Sequence, residues 1–287
     1  MLDIEGAKER AGILLEALPY IQKYEGQTIV VKYGGAAMTD ERLKHSVMRD
    51  IVLLTHVGMR VVLVHGGGPE ISTTLDRLGK ESVFVDGLRY TDEETADVVA
   101  MVLAGKVNKS LVSLIHKAHG RAIGICGVDG GMLRVVRMPG RDLGYVGKIV
   151  AVDVAAVDLA LDSGFIPIIA TVGVDDAGQV YNINADTAAA EIAAALRAEK
   201  LIALTDVRGV LRDREDDASL IEEIHLRELP GLIESGVVSG GMIPKIDCCR
   251  EAIRKGLKEA VIIDGRIEHS ILLELFSDRG IGTLLHR

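Results

Sequence analysis

The sequence predicts an α/β protein with a mostly parallel, open sheet covered by helices on both faces, and three observations carry that reading. Short β-branched runs alternate with segments of helical period along most of the chain. Those runs are almost unbroken Val, Ile and Leu, the composition of central strands buried on both sides. Aromatic residues make up 3% of the 287 residues and Trp is absent, so aliphatic side chains must pack the core.

Residues 1–25 carry Ile4, Ala11, Leu14, Leu15, Leu18 and Ile21 at helical spacing, which gives a helix with one apolar face. That face can pack on its own subunit or dock on a partner's. Pro19 should kink the helix or end it just before that point. Strands are expected at 28–33, 60–65, 121–126, 165–171, 201–205 and 259–264. Helices are expected at 40–56, at 92–119 with a break near Gly105, at 185–198 and at 244–256. Alternation in 132–138 and 145–153, on either side of Pro139-Gly140, predicts a hairpin at one edge of the sheet. A turn at 175–178 predicts a second one. The acidic segment 212–218 reads as a solvated loop. A boundary near residue 180 leaves two lobes, 26–180 and 181–287, after the N-terminal helix of 1–25.

Composition excludes several classes of function. A formal charge of −9 disfavours nucleic-acid binding, which needs Lys/Arg stripes, but leaves room for a nucleotide site. Cys126, Cys248 and Cys249 give neither a disulfide framework nor zinc spacing, so a reducing, cytoplasmic setting is expected. No uninterrupted apolar run reaches the roughly 18 residues that span a bilayer, and the N-terminus lacks the basic start of a signal peptide. No membrane or nucleic-acid partner is therefore expected.

Four junctions at strand ends carry the chemistry. In VVKYGG, Lys32 closes a buried strand and Gly34-Gly35 allow a sharp turn with N–H groups facing an anion. In HGGGP, residues 65–69, three glycines make a nest of N–H groups beside a helix start. In YNINAD, residues 181–186, Asn184 or Asp186 is placed to cap the following helix. In SGGMIPK, residues 239–245, Lys245 falls in the first turn of a helix, where a cation makes sense beside a bound anion. Arg89 adds a guanidinium suited to gripping a carboxylate. Two lysines, an aspartate, an arginine and two glycine nests together describe phosphoryl transfer, which needs positive charge and alignment more than covalent help. A carboxylate acceptor is already ionised at neutral pH and needs no general base. His116 and His119, the closest histidine pair, are not read as a metal site, and the vicinal cysteines are read as packing residues.

The ordered motifs VKYGG, HGGGP, GLRYTDEE, GKVNK, NINAD, LTDVRGV, GGMIPK and GIGTLL resemble the amino-acid kinase superfamily, and within it the N-acetylglutamate kinases, over nearly the whole chain. The resemblance implies a three-layer αβα sandwich (the amino-acid kinase fold) with an N-terminal lobe for the amino acid and for dimerisation and a C-terminal lobe for ATP. Lys32 and Lys245 would then stabilise the transferring phosphoryl group and Asp186 would organise both. Gly67 and Gly68 would contact substrate and γ-phosphate through backbone amides, and Arg89 and Asn182 would hold N-acetyl-L-glutamate. Gly34, Gly35, Thr205, Asp206, Val207, Gly209, Val210, Gly240, Gly241 and Met242 would form the ATP site. Mg²⁺ would ride on the ATP phosphates with few or no protein ligands.

Residues 1–25 also look like the extra kinked helix of arginine-inhibited relatives, which interlaces three dimers into a hexameric ring. Tyr20, His269, Glu274 and Gly280 match positions of the L-arginine effector site. These residues do not decide whether a PII-type regulator docks on such a ring. Tyr90 departs from the pattern, and the RYTD string also resembles kinases acting on an aminoadipate derivative. Related carboxylate or carbamate kinases are thus the near alternative. A non-catalytic nucleotide-binding regulator is the distant one, disfavoured by Lys32, Asp186 and Lys245 occurring together.

Overall fold

In the computed structural model, which describes residues 4–287, the chain opens with α1 (Ile4–Tyr24) and enters the sheet at β1 (Thr28–Tyr33). Next come α2 (Glu41–His56), β2 (Arg60–His65) and α3 (Gly68–Arg77). A short hairpin, β3 (Phe84–Val85) and β4 (Leu88–Arg89), leads to α4 (Glu93–Ala100), which continues through a π-helical segment (Met101–Val107) into α5 (Asn108–Lys117). The first half is completed by β5 (Ala122–Cys126), β6 (Leu133–Arg137), β7 (Gly147–Val152), α6 (Ala155–Asp162), β8 (Ile166–Ala170), β9 (Val172–Val174) and β10 (Val180–Asn182). The second half holds α7 (Ala185–Ala195), β11 (Lys200–Thr205), β12 (Glu223–His225), α8 (Leu229–Glu234), α9 (Met242–Lys255), β13 (Glu259–Asp264), α10 (Ser270–Leu275) and β14 (Thr283–His286).

Among the described residues, eight strands form the main sheet in the order β12-β14-β13-β11-β1-β2-β8-β5. The six from β13 to β5 run parallel, while β14 lies antiparallel to β13 and carries β12 parallel to itself. Because side chains alternate across a strand, β1 feeds two separate cores. Ile29, Val31 and Tyr33 pack with residues of α2, α3, α5 and α10 on one face. Val30 packs on the other face with Ala188–Ala194 of α7, Val157 of α6 and Ile246 of α9. Ile29, Val30 and Val31 are each fully buried, and such a side chain contributes about 1.5–3 kcal/mol on leaving water. The sheet is thus the middle of three layers. The alanines of α7 let that helix, which begins at the site, lie close to β1 and β2.

Three details differ from the sequence-based expectation. The two hairpins do not sit at an edge of the main sheet. They join into a separate four-stranded sheet, β10-β9-β6-β7, because β9 leaves the end of β8 and pairs Val174 with Arg134. Of the two outcomes expected at Pro19, a kink or an end, the end is not seen: α1 runs on to Tyr24. The carbonyl of Leu15, which loses its partner N–H at Pro19, belongs to a residue 68% exposed, where water can satisfy it. The helix expected to break near Gly105 instead absorbs an extra residue as the π-helical segment. Within its span Glu93–Lys117 an 18-residue window reaches a mean hydropathy of 1.6, long and apolar enough to cross a membrane although lysines interrupt it. Val99, Leu103, Leu111 and Ile115 are nevertheless buried in the protein core.

Candidate active site

Lys32, next to last in β1, lies between Val64 of β2 and Ala203 of β11, so backbone pairing on both sides fixes where its side chain starts. Asp186 stands in the first turn of α7, and Asn184 caps that helix by accepting from the N–H groups of Asp186 and Thr187 at 3.0 and 3.1 Å. The cap leaves the Asp186 carboxylate free for other partners. Its Oδ1 lies 2.9 Å from Lys32 Nζ and its Oδ2 2.9 Å from Lys245 Nζ, which comes from the first turns of α9. The side chains of Lys32 and Lys245 are 9% and 28% exposed, so one ammonium is sealed in and the other faces open space. Burial pushes the Asp186 carboxyl up, but the Lys32 and Lys245 ammonium groups outweigh it and hold the carboxyl below the usual range. One carboxylate thereby keeps two positive charges side by side.

The glycine-rich turns converge on this pair. A Cβ on Gly34 would stand 3.3 Å from Lys32 Nζ, so the ammonium lies over that glycine. Gly35, next in the chain, has φ 66°, a left-handed conformation that glycine adopts without strain. Gly66 abuts Ala185 at the start of α7, with a Cβ-to-Cβ separation of 3.2 Å if it were substituted. Gly67 and Gly68 then open α3, with Pro69 in its first turn. Arg89 is bound to the same turn: its guanidinium donates to Gly68 O at 3.0 Å, Ser72 Oγ at 2.9 Å and Ser82 Oγ at 2.7 Å, and stacks 4.7 Å from the Phe84 ring centre. These partners are all neutral. Burial lowers the Arg89 pKa, with Asp76 opposing it at a distance, so the site favours an incoming anion. Asn182 Nδ2 donates to Thr91 Oγ1, and Thr91 Oγ1 donates to Arg89 O, which ties β10 to the same wall.

Two cavities meet at Lys245 and Gly241. One, of 360 Å³, is lined by Asp206, Val207, Gly209, Val210, Met242 and neighbours on the C-terminal side of β11 and the start of α9. The other, of 680 Å³, runs past Asp186, Asn184 and Gly240 to the hairpin tip at Asp86–Leu88. The arrangement places the Lys245 ammonium between the two cavities, one of them reached by the β3–β4 hairpin, with Lys32 held behind it on Asp186.

The model of the Amino acid kinase family matches residues 27–264. Acetylglutamate kinases from Heliobacterium modesticaldum, Clostridium kluyveri and Synechocystis sp. are 53%, 55% and 53% identical to the chain, covering 97–98% of it and 98%, 99% and 95% of their own lengths. The chain belongs to the amino acid kinase family. Within it, the chain groups with the acetylglutamate kinases, and it is an enzyme of that kind. Among solved structures, N-acetylglutamate synthase from Neisseria gonorrhoeae, complexed with coenzyme A and N-acetyl-glutamate, superposes with a TM-score of 0.84 at 28% identity over 96% of the chain. The chain spans 63% of that synthase's length. The same synthase complexed with coenzyme A and L-arginine gives 0.78. Carbamate kinase from Giardia, 18% identical with a TM-score of 0.67, shares the fold.

Of the residues singled out by sequence, Asp206, Val207, Gly209, Val210, Gly241, Met242 and Lys245 line the 360 Å³ cavity, and Asp186, Gly240, Gly241 and Lys245 line the 680 Å³ one, with Lys32 paired to Asp186. Gly67, Gly68, Arg89 and Asn182 line neither cavity; Arg89 bonds Gly68 O, and Asn182 bonds Thr91. Thr205 lines neither. It is buried, and its Oγ1 donates to Val207 O at 2.9 Å and accepts from Val207 N at 3.2 Å, so it shapes the turn without lining the cavity. Sequence reasoning missed Leu211, Arg214, Val237 and Ser239 on the cavity wall. Arg214 lies in the segment read as a solvated loop, and nothing in its charge run signals that it turns back to bond Ser239. The β3–β4 hairpin was also missed, although Asp86-Gly87 between apolar residues is a turn signal, with φ of 49° and 79°.

Away from this centre, the end of α1 meets the segment 269–281. Tyr20 OH donates to Asp278, and its ring lies 6.5 Å from that of Phe276. Glu274 is buried, 3.3 Å from Lys200 Nζ and accepting from Ile281 N at 2.9 Å. A Cβ on Gly280 would fall 2.4 Å from Glu274 Oε2, so only glycine fits there. His269 Nδ1 stands 2.6 Å from Asp50 Oδ1.

Proposed function

We propose that this enzyme transfers the γ-phosphoryl group of ATP to the side-chain carboxylate of N-acetyl-L-glutamate, giving N-acetyl-L-glutamyl 5-phosphate and ADP in arginine biosynthesis. The observation that carries the reading is Asp186 holding Lys32 and Lys245 at 2.9 Å each, with Lys245 lining both cavities. An oxygen of the acceptor carboxylate forms the new P–O bond while the bond to the β-bridging oxygen breaks and ADP carries the charge away. Lys32 and Lys245 neutralise charge on the phosphoryl oxygens, and the Gly67 and Gly68 amides face the same group. Arg89 and Asn182 hold the substrate's α-carboxylate and its neighbouring groups. Gly34 and Gly35 give the phosphates close backbone approach, and the wall from Asp206 to Val210 with Gly240–Met242 takes the nucleotide. In this division residues 26–180 serve the amino acid and 181–287 the nucleotide.

Among the described residues no group of three or more His, Cys, Asp or Glu forms a metal cage. Asp186 is already committed to two lysines. Mg²⁺ bound to the phosphates of ATP fits this donor set, since such an ion keeps waters and few protein ligands; it would supply further charge neutralisation there. The reading puts the enzyme in the cytoplasm as a hexamer of three dimers joined through α1, with L-arginine binding near Tyr20, His269, Glu274 and Gly280 as feedback inhibitor. Exposed Leu14 and Leu15 on α1 support the assembly. The names of the relatives and the N-acetyl-glutamate and L-arginine complexes of the synthase support the ligands.

The test is ADP release from MgATP with N-acetyl-L-glutamate, glutamate or N-acetyl-aminoadipate, each with and without L-arginine. Turnover with N-acetyl-L-glutamate, suppressed by arginine, is expected. No turnover with that substrate at millimolar concentration would sink the proposal, and turnover with the aminoadipate derivative alone would redirect it.

A further inference from the structure

Beneath the glycine turn lies a polar network that the phosphoryl-transfer reading leaves unused. His65, the last residue of β2, is fully buried. Its Nδ1 is 2.8 Å from Gly66 O and its Nε2 is 3.1 Å from Asn108 Nδ2. A carbonyl only accepts and an amide nitrogen only donates, so Nδ1 carries the proton and Nε2 accepts. The Asn108 amide is oriented independently: Nδ2 also donates to Ile168 O at 2.8 Å and Ile125 O at 3.2 Å, while Oδ1 accepts from Lys109 Nζ at 3.1 Å. Burial drives the imidazole pKa down to about 4, so the ring stays neutral near pH 7 and this tautomer persists.

Gly66 is consequently held at both ends, its N–H donating to Tyr33 O at 3.1 Å and its carbonyl accepting from His65. The peptide unit that carries Gly66 O also carries Gly67 N–H, on the opposite side of the same plane. Fixing the carbonyl therefore fixes the direction of the N–H, and the bond accepted by the carbonyl makes that N–H a stronger donor. On the far side, Leu103 and Val107 of the π-helical segment approach to 2.7 and 3.2 Å of where a Gly67 Cβ would be, so the turn is braced there too.

We infer that His65 is a positioning residue for phosphoryl transfer: locked by Asn108 as the Nδ1–H tautomer, its imidazole aims the Gly67 N–H at the transferring group. The inference rests on the reading that Gly67 faces the phosphates. The experiment compares His65→Asn, whose amide nitrogen can take the place of Nδ1, with His65→Gln, whose amide reaches toward the place of Nε2. His65→Asn should keep kcat within about fivefold, while His65→Gln should lose about 10- to 100-fold in kcat with KM values little changed, because a misaimed donor weakens the transition state more than the ground state. Equal losses in the two variants, or a loss carried by KM alone, overturn the inference. A second measurement needs neither variant nor acceptor: adding MgAMP-PNP to the native protein should shift the Gly67 amide proton downfield, and an unmoved resonance overturns the inference. A shifted amide in a protein silent toward N-acetyl-L-glutamate would instead remove the substrate reading and leave the role of His65 standing.

Discussion

Lys245 donates to Asp186 from the open side of the pair, whereas Lys32 does so from the sealed side. Truncating Lys245 therefore removes positive charge from the reacting group without orphaning a charge in the core, since Asp186 keeps Lys32. Lys245→Ala is expected to lower kcat by about 10²–10³-fold. Its melting midpoint should move only about 2–4 °C, as for the loss of a partly exposed ion pair. Near-native turnover would take Lys245 out of the mechanism. Asp50 offers a second test at this scale. Burial lifts its carboxyl to about 6, although the contact with His269 pulls the other way, and its Oδ2 has no partner among the described residues. Between about pH 4 and 6 the folded chain thus holds a proton on Asp50 that the unfolded chain has released, so this group's contribution to stability falls as pH rises through that window. The unfolding free energy of the native protein relative to Asp50→Asn should fall from about pH 4.5 to 6 and level off about a unit above it. A pH-independent difference in urea titrations would mean that Asp50 ionises normally.

At the scale of elements, the seam between α5 and β5 is the tightest that the site depends on. A Cβ on Gly124 would fall 1.9 Å from Asn108 Oδ1 and 2.7 Å from Lys109 Nζ, with both side chains fixed by other bonds. Gly124→Ala should cost about 1–3 kcal/mol by forcing that seam apart, measured by urea unfolding, and an unchanged midpoint would show that the seam yields freely. In the main sheet β12 and β14 were not expected, but the six parallel strands were legible almost to the residue: 28–33, 60–65 and 259–264 match β1, β2 and β13 at both ends. They are buried on both faces, so their composition reports their limits directly. Elements whose placement depends on a partner were less legible. The strands β6, β7, β9 and β10 were read as hairpins, but which sheet they join is decided by the pairing of Arg134 with Val174, not by their own alternation. At the site, Lys32, Asp186 and Lys245 were legible because charge beside glycine at a strand end or helix start needs an explanation. Thr205, by contrast, looks the same in sequence whether its hydroxyl faces a ligand or its own turn.

For the whole molecule, α1 is the element left without cover. Ile13, Leu14 and Leu15 are 59%, 70% and 68% exposed, and Tyr24 is the buried residue of the helix. A run of apolar residues shown to water on one helix marks a contact surface. Deleting residues 1–25 should leave kinase turnover intact while reducing the assembly to dimers by light scattering, and arginine inhibition should weaken because Tyr20 is lost from the cluster at Asp278. A hexamer surviving the deletion would mean that the leucines serve another contact. The placement of β14 bears on how the enzyme becomes competent. Thr283 accepts from Val210 N at 2.8 Å and donates to Ile221 O at 2.7 Å, so this strand clamps the turn that walls the nucleotide cavity. Every other strand of the main sheet is synthesised before it. The half of the sheet from β1 to β8 can pair while the ribosome is still working, but the wall of the 360 Å³ cavity must wait for residues 283–286. A growing chain therefore pairs β1, β2, β5 and β8 well before that cavity gains its clamp, and a nascent chain stalled at residue 280 would have a sheet with one cavity wall unfinished.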